Sequence, residues 1–259
     1  MIYTSFLLAI SLALFAGMLL CLDLGRRFGI HRMAQDPEGA HSGTGAVDGA
    51  VFALLGLLIA FTFSGAAGRF DERRSLIVEE TNDIGTAYLR LDLLPAGAQP
   101  ALRDLFRRYL DARIAAYRLL PDIDAAKAEL ARSTVLQGEI WREAVAASAA
   151  EGAKPGAPML LLPALNQMFD ITTTRTMAGD MHPPPIIFVL LCGLALAGAL
   201  LAGYGMASGK TRNWIHMIAF PAVMAVAVNV IIDIEYPRLG LIRVDAFDHA
   251  LVELRAGMK

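Results

Sequence analysis

Four segments of the 259-residue chain lack Asp, Glu, Lys and Arg, and each of them is 20 residues long. They run from Tyr3 to Leu22, from Gly49 to Gly68, from Pro185 to Tyr204 and from Asn213 to Ile232. About 20 residues of α-helix, at about 1.5 Å per residue, cross the roughly 30 Å of hydrocarbon in a bilayer. The pattern therefore predicts four transmembrane helices and a multi-pass integral membrane protein. Asn229, near the end of the fourth span, is expected to need a polar partner on a neighbouring helix.

The region between the second and third apolar segments, residues 69–182, carries 14 basic and 16 acidic side chains. Prolines and glycines divide it into four helical stretches. These are Arg69–Leu94, Ala101–Leu120, Asp122–Ala150 and Met159–Met177. We therefore predict an all-α membrane protein in which a helical aqueous bundle is inserted between spans two and three.

The same pattern divides the chain into four parts. Residues 1–68 hold transmembrane helices 1 and 2, residues 69–182 the aqueous domain, residues 183–234 transmembrane helices 3 and 4, and residues 235–259 a C-terminal tail. Basic residues near span ends mark the cytoplasmic side of a membrane protein. Six of them lie on one side of this chain and five on the other, so the residues alone leave the side of the aqueous domain open.

The second span has the most informative pattern. No proline occurs from Gly49 until Pro95, so one helix of up to 46 residues can run from the membrane into the aqueous region. Small residues recur on one face of this helix, which we name the small-residue face. They are Gly49, Ala53, Gly56, Ala60 and Ser64. Such faces let helix backbones approach closely in lipid, so this one is predicted to pack on a neighbouring helix.

A second stripe on the same helix consists of bulky apolar residues, and we name it the predicted neck. Its members are Phe52, Leu55, Ile59 and Phe63. These side chains can simply contact lipid or other helices. If several copies of the helix surround an axis, they can instead form a narrow hydrophobic constriction in an ion path.

Charged residues follow the second span directly. Arg69 and Arg73 lie four residues apart, and we name them the predicted collar. Each is typical of an anchor at the membrane surface, but repeated around an axis the pair would attract anions. A second possibility is a charge network that joins distant segments. Its proposed members are Arg90, Asn166, Asp170 and Asp233.

Composition excludes several functions. The chain is 56% hydrophobic and 19% charged, with a formal net charge of -2, so nucleic acid is not an expected partner. Cys21 and Cys192 both lie in apolar segments and cannot form a cysteine-rich metal site. The five histidines contain no pair with metal-binding i, i+4 spacing.

No catalytic motif is present either. The stretch Ser208-Gly209-Lys210-Thr211 resembles the end of a phosphate-binding loop, but the first glycine of that motif is replaced by Tyr204. No nucleophile and base occur in a known catalytic order. We therefore expect neither an enzyme nor a metal or organic cofactor.

Several segments resemble a family of bacterial membrane proteins called bestrophin-like. They are Leu54–Ser64, Arg69–Arg74, Glu79–Arg90, Leu162–Asp170, Arg175, His182–Pro184 and Asp233–Val244. This family is distantly similar to bestrophins, which are pentameric anion channels with four spans and a helical cytosolic domain. The resemblance implies that Leu55, Ile59 and Phe63 match the channel neck, that the aqueous domain is cytoplasmic, and that the protein lies in the plasma (inner) membrane.

Two functional hypotheses follow. The first is a homo-oligomeric ion channel for small anions, whose partners are membrane lipid, further copies of the chain (five by the resemblance) and the anions themselves. The second is a non-conducting, membrane-anchored helical scaffold or sensor that binds another protein.

Overall fold

The computed structural model describes residues 2–36, 44–209 and 211–258. Within these ranges the chain is helical and contains no β-strand. Eight α-helices follow one another along it. They are α1 (Ile2–Gln35), α2 (Thr44–Arg90), α3 (Gln99–Arg118), α4 (Ile123–Ser148), α5 (Ala157–Asp180), α6 (Pro185–Gly205), α7 (Trp214–Glu235) and α8 (His249–Gly257).

Four segments of the described chain are long and apolar enough to cross a membrane, and they contain the four predicted spans. The all-α class and the four candidate membrane helices are therefore confirmed. The helix predicted to begin at Gly49 is also confirmed as one continuous helix, which begins at Thr44 and ends at Arg90 before a short 3-10 turn. Within residues 69–182 the other helix ends lie within a few residues of the predicted breakers, because prolines and glycines interrupt helical hydrogen bonding. Helix α1 continues 13 residues beyond the end of the first apolar segment, Leu22.

The chain folds as two compact units. The first, which we call the span unit, comprises Met1–Gly68 and His182–Leu241. The second, which we call the bundle unit, comprises Arg69–Met181 and Ile242–Lys259. Helix α2 contributes its first half to the span unit and its second half to the bundle unit.

The core of the span unit is built from all four candidate membrane helices. Met18 and Leu22 of α1, Leu191 of α6 and Val228 of α7 are almost fully buried in one cluster. The predicted partner of Asn229 is present, because its side-chain amide donates to the Ser11 hydroxyl at 2.7 Å. Polar contacts of this kind fix one helix against another where lipid gives no hydrophobic drive.

The bundle unit has its own apolar core between α3, α4 and α5. Phe106, Leu110, Ile140 and Leu165 are completely buried in it. The residues after position 241, which the sequence suggests are a tail, also belong to this unit. They form α8, whose Leu251 is completely buried in the same core.

Candidate functional site

The predicted neck is divided by the structure. Leu55 is only 2% exposed and belongs to the core of its own protomer. It lies beside α6, where a methyl group added to Gly198 would be 3.6 Å from a Leu55 methyl carbon. A side chain buried in this way does not face an axis shared with other copies. This part of the prediction is therefore corrected, and Leu55 is removed from the neck.

The other three members of the predicted neck differ in exposure. The Phe52 ring is half-buried and packs edge-on against Phe220, with 5.9 Å between ring centroids. Ile59 is half-buried against the same core as Leu55. Only Phe63 is largely open, at 45% exposure. The bulky stripe thus serves mainly to hold α2 in its own protomer.

The small-residue face, unlike most of the bulky stripe, is uncovered in the protomer. Ala53, Ala60 and Ser64 are exposed. A methyl group added to Gly49 or Gly56 would meet no atom within 4 Å. No helix of the described protomer covers this face, so any helix that packs there must come from another chain.

Large apolar side chains lie beside the small-residue face. Leu57 is 51% exposed and Phe61 is 67% exposed. Because they are four residues apart, they point from the same side of α2. Leu54 is also exposed, one turn before Leu57. These residues are apolar, and the protomer leaves them uncovered.

The prediction for the collar also needs correction at one of its two arginines. Arg73 is buried, and its Nε and Nη2 atoms donate to the backbone oxygens of Ala178 and Met181 at 2.9 and 2.8 Å. These carbonyls lie at the end of α5, where helical hydrogen bonding leaves them without partners. Arg73 therefore caps a helix and does not face an ion path. Arg69 is half-buried.

Two members of the predicted charge network have backbone hydrogen-bond partners, and two are exposed. Arg90 donates to the backbone oxygen of Leu160 at 2.5 Å instead of to a carboxylate. Asn166 and Asp170 are exposed. The Asp233 carboxylate accepts a hydrogen bond from the Leu241 backbone at 3.0 Å. These contacts give no support to the charge network, which stays a prediction.

The Asp233 contact explains one of the segments that carries the family resemblance. A methyl group at Gly240 would overlap the Asp233 carboxylate. Close by, His182 Nδ1 lies 3.0 Å from Glu235 Oε1, and its ring stacks on Tyr236 with centroids 4.4 Å apart. The end of α7 is therefore folded back on itself by side-chain contacts that need glycine at position 240.

Sequence reasoning missed the most deeply buried charge cluster. Glu80 is completely buried and accepts from Arg113 Nε at 2.6 Å and from Arg175. Arg113 also donates to the Tyr117 hydroxyl at 2.9 Å, and the Arg175 guanidinium lies over the Tyr117 ring. Asp248 lies 3.6 Å from Arg175. The cluster joins α2, α3, α5 and the segment before α8.

The electrostatics of this cluster favour its charged form. Burial by itself raises the pKa of the Glu80 carboxyl, but the charges of Arg175 and Arg113 and their hydrogen bonds outweigh burial and hold that pKa below its usual value. Glu80 in turn raises the pKa of the Arg113 guanidinium, against the effect of burial. Both shifts favour the ionised forms of Glu80 and Arg113.

A periodicity signal for this cluster exists in the sequence. At about 100° per residue, Glu80 lies within roughly 60° of Ile77 and Ile84 on α2. Arg113 follows Phe106 by seven residues, which places it on the apolar face of α3. A charge in phase with buried apolar residues indicates a buried pair. No group of three His, Cys, Asp or Glu side chains among the described residues could hold a metal ion.

Comparison with known proteins gives two consistent findings. The family model for the Bestrophin-like domain matches residues 12–246. Two crystal structures of variants of a bacterial Bestrophin homolog from Klebsiella pneumoniae have the same fold, each with a TM-score of 0.63. The first is 15% identical and the match covers 92% of this chain and 98% of that one. The second is 14% identical, with 95% and 98% covered. None of the curated proteins matches the chain.

Proposed function

The chain belongs to the bestrophin-like family, and from this premise we propose that it is a homo-oligomeric ion channel in which copies of α2 line the path. The observation that carries the proposal is the uncovered small-residue face of α2. Rows of glycine, alanine and serine are typical of helix contacts in membranes, because they allow backbones to approach. A further copy of the chain is the partner that we assign to this face.

The burial pattern supports a different set of residues for the constriction. Since Leu55 belongs to the protomer core, we propose that Leu57 and Phe61 form the neck instead, with Phe63 at its margin. Leu57 and Phe61 project from the edge of the small-residue face. When copies of α2 surround an axis, these side chains meet near it and form a narrow apolar passage that can gate ion flow by dewetting.

The ion species is proposed from the family resemblance, which favours small anions. Arg73 gives no support to this assignment because it caps α5. Arg69 is the member of the predicted collar that still supports it. The resemblance also supports five copies, a plasma-membrane location with a cytoplasmic bundle unit, and the absence of enzymatic activity.

Exposed apolar residues of the bundle unit favour a second candidate function. Leu89, Val135 and Met159 are largely exposed, and Met159 has the most open side chain of the three. Apolar residues on an aqueous surface often mark a protein contact. Under this alternative the protein is a non-conducting scaffold or sensor, and the bundle unit binds a different protein.

Conductance in planar bilayers tests the proposal. The purified protein should pass ionic current, and Phe61→Ala should change that current by widening the neck. Phe6→Ala is a matched control, because Phe6 is also an exposed phenylalanine but lies on α1. A protein that stays silent at all voltages, or one in which both substitutions act equally, would contradict the proposal. Silence together with specific binding of a protein by the bundle unit would favour the scaffold.

A further inference from the structure

Three arginines gather at one end of the span unit. Arg27 Nε lies 2.7 Å from Asp23 Oδ2, and Arg212 Nη2 lies 3.0 Å from Asp23 Oδ1. Arg26 Nη2 donates to the backbone oxygen of Gly209 at 3.2 Å. One carboxylate thus serves two guanidinium groups, and the third donates to a neutral carbonyl. The group, which we call the arginine cluster, carries an excess of positive charge.

A close helix crossing brings the cluster together. A methyl group at Gly25 would overlap the backbone oxygen of Leu200, and one at Gly203 would overlap that of Leu22. The backbones of α1 and α6 are therefore in contact at this level. Because α1 runs alongside the end of α6 here, Arg26 reaches the loop that leads into α7.

The ends of the apolar segments place the cluster at the depth expected for lipid headgroups. Arg26 follows the end of the first apolar segment, Leu22, by four residues, which is about 6 Å along a helix. Arg212 immediately precedes the fourth span, and its guanidinium is 5.7 Å from the centroid of the Trp214 ring. Trp214 and Ile215 are both largely exposed. Tryptophan is enriched where membrane helices meet the headgroup region.

The charges of the cluster are accessible from outside the protomer. The Arg27 side chain is 72% exposed and that of Arg212 is 40% exposed. A guanidinium has five N–H donors in a planar fork that matches two phosphate oxygens. Asp23 holds the arginines near one another but occupies only a few of their donors. Free donors and net positive charge beside exposed apolar side chains make a site for a ligand that has an anionic head and an apolar tail.

We infer that Arg26, Arg27 and Arg212 bind the phosphate of an anionic phospholipid headgroup, while the lipid chains lie against Trp214 and Ile215. This site is separate from the proposed ion path, because the cluster is formed by α1 and the loop before α7. A soluble phosphate ion would share the contacts with the arginines but not those with the apolar side chains. The lipid is therefore expected to bind more tightly than the ion.

Lipid binding to variants tests this inference. The full-length protein is placed in phosphatidylcholine vesicles with and without phosphatidylglycerol, and bound lipid is measured by native mass spectrometry together with the thermal unfolding midpoint. Wild type should retain phosphatidylglycerol and be stabilised by it. The combined Arg26→Gln, Arg27→Gln and Arg212→Gln variant should lose affinity by roughly fivefold for each arginine removed. Arg108→Gln, Arg118→Gln and Arg142→Gln, three exposed arginines of the bundle unit, form the matched control and should retain it.

A variant that is expected to bind the lipid more tightly distinguishes a binding role of the cluster from a structural one. Asp23→Asn keeps all three arginines but removes the competing carboxylate, so it should bind phosphatidylglycerol more tightly by several fold. A purely structural role of the cluster predicts that both changes weaken the protein. Equal binding of the two lipids, unchanged binding in the triple variant, or weaker binding in Asp23→Asn would overturn the inference. Equal stabilisation by inorganic phosphate alone would identify an ion site and overturn the lipid assignment.

Discussion

The two faces of α2 have different surroundings. One face is covered within the protomer and carries the buried residues Leu55 in the span unit and Arg73 and Glu80 in the bundle unit. The other carries Leu57, Phe61 and the small-residue face, and it is open along the whole span. The bulky residue Leu55 therefore packs inside its own protomer. The open face combines the small residues, which allow another backbone to approach, with the large side chains of Leu57 and Phe61. A covered face mainly contributes stability, whereas the open face is the one to which we assign assembly and conduction in the proposed channel.

The largest expected effect is the removal of Glu80. Glu80→Ala leaves Arg113 and Arg175 buried without their carboxylate, and loss of one partner of a buried ion pair costs about 3–5 kcal/mol. Glu79 is the neighbouring exposed acid, and Glu79→Ala should change the free energy of unfolding by less than about 0.5 kcal/mol. Denaturant unfolding of the detergent-solubilised protein checks both values. Equal effects would show that α2 does not have distinct faces at this level.

Leucine truncations compare the two faces inside the membrane. Leu55→Ala should lower the free energy of unfolding by about 2–5 kcal/mol, because it leaves a cavity in the span-unit core. Leu57→Ala removes the same atoms from an exposed position and should leave protomer stability nearly unchanged while altering the current. The pair is measured by unfolding and by bilayer recording. A stable Leu55→Ala variant with changed conductance would restore the original neck.

Substitutions of the two collar arginines should also have different effects. Arg73→Gln removes charged hydrogen bonds to the end of α5 and should cost about 1.5–3 kcal/mol in unfolding free energy. Arg69→Gln should instead lower the preference for anions, seen as a shift of the reversal potential in a chloride gradient. A wild-type current that already prefers cations would contradict the assignment of anions and leave the channel proposal standing.

Acidification is a milder perturbation than removal of the Glu80 side chain. The pKa of this carboxyl is lower in the folded protein than its ordinary value of about 4.3. A depressed pKa means that the ionised cluster contributes its full stability above that ordinary value and loses it as pH falls toward the folded pKa. The unfolding midpoint of wild type should therefore fall more steeply below about pH 4 than that of Glu80→Gln. Parallel pH profiles for the two proteins would contradict this account of the cluster.

Much of the fold follows from segment length and from helix breakers. Apolar segments of 20 residues gave the four spans, and the absence of proline from Gly49 to Pro95 gave the continuous α2. The orientation of α2 was harder to predict, because all sides of its first half are apolar and periodicity fixes only relative angles. Which side is covered depends on α6 and α7, and that contact is not encoded in α2 itself.

The sequence pattern also did not reveal which charged residues pair with one another. Glu80 follows Glu79 in the sequence, and an acidic pair after a span is typical of a solvated helix face. Its phase with Ile77 and Ile84 indicated burial, but the partners Arg113 and Arg175 are 33 and 95 residues away. Asp170, expected to be paired, is exposed because its side of α5 faces away from the bundle core. Long-range pairing is therefore what the pattern alone could not supply.

Thiol accessibility tests the central claim most directly. Cysteine replaces Phe61 in one variant and Phe6 in another, in a background in which Cys21 and Cys192 are serine, and bilayer current is recorded while a water-soluble charged thiol reagent is added. If the open face of α2 surrounds the ion path, the reagent reduces the current of the Phe61→Cys variant and leaves that of Phe6→Cys unchanged. An unaltered current through a conducting Phe61→Cys variant would show that this face lies outside the path.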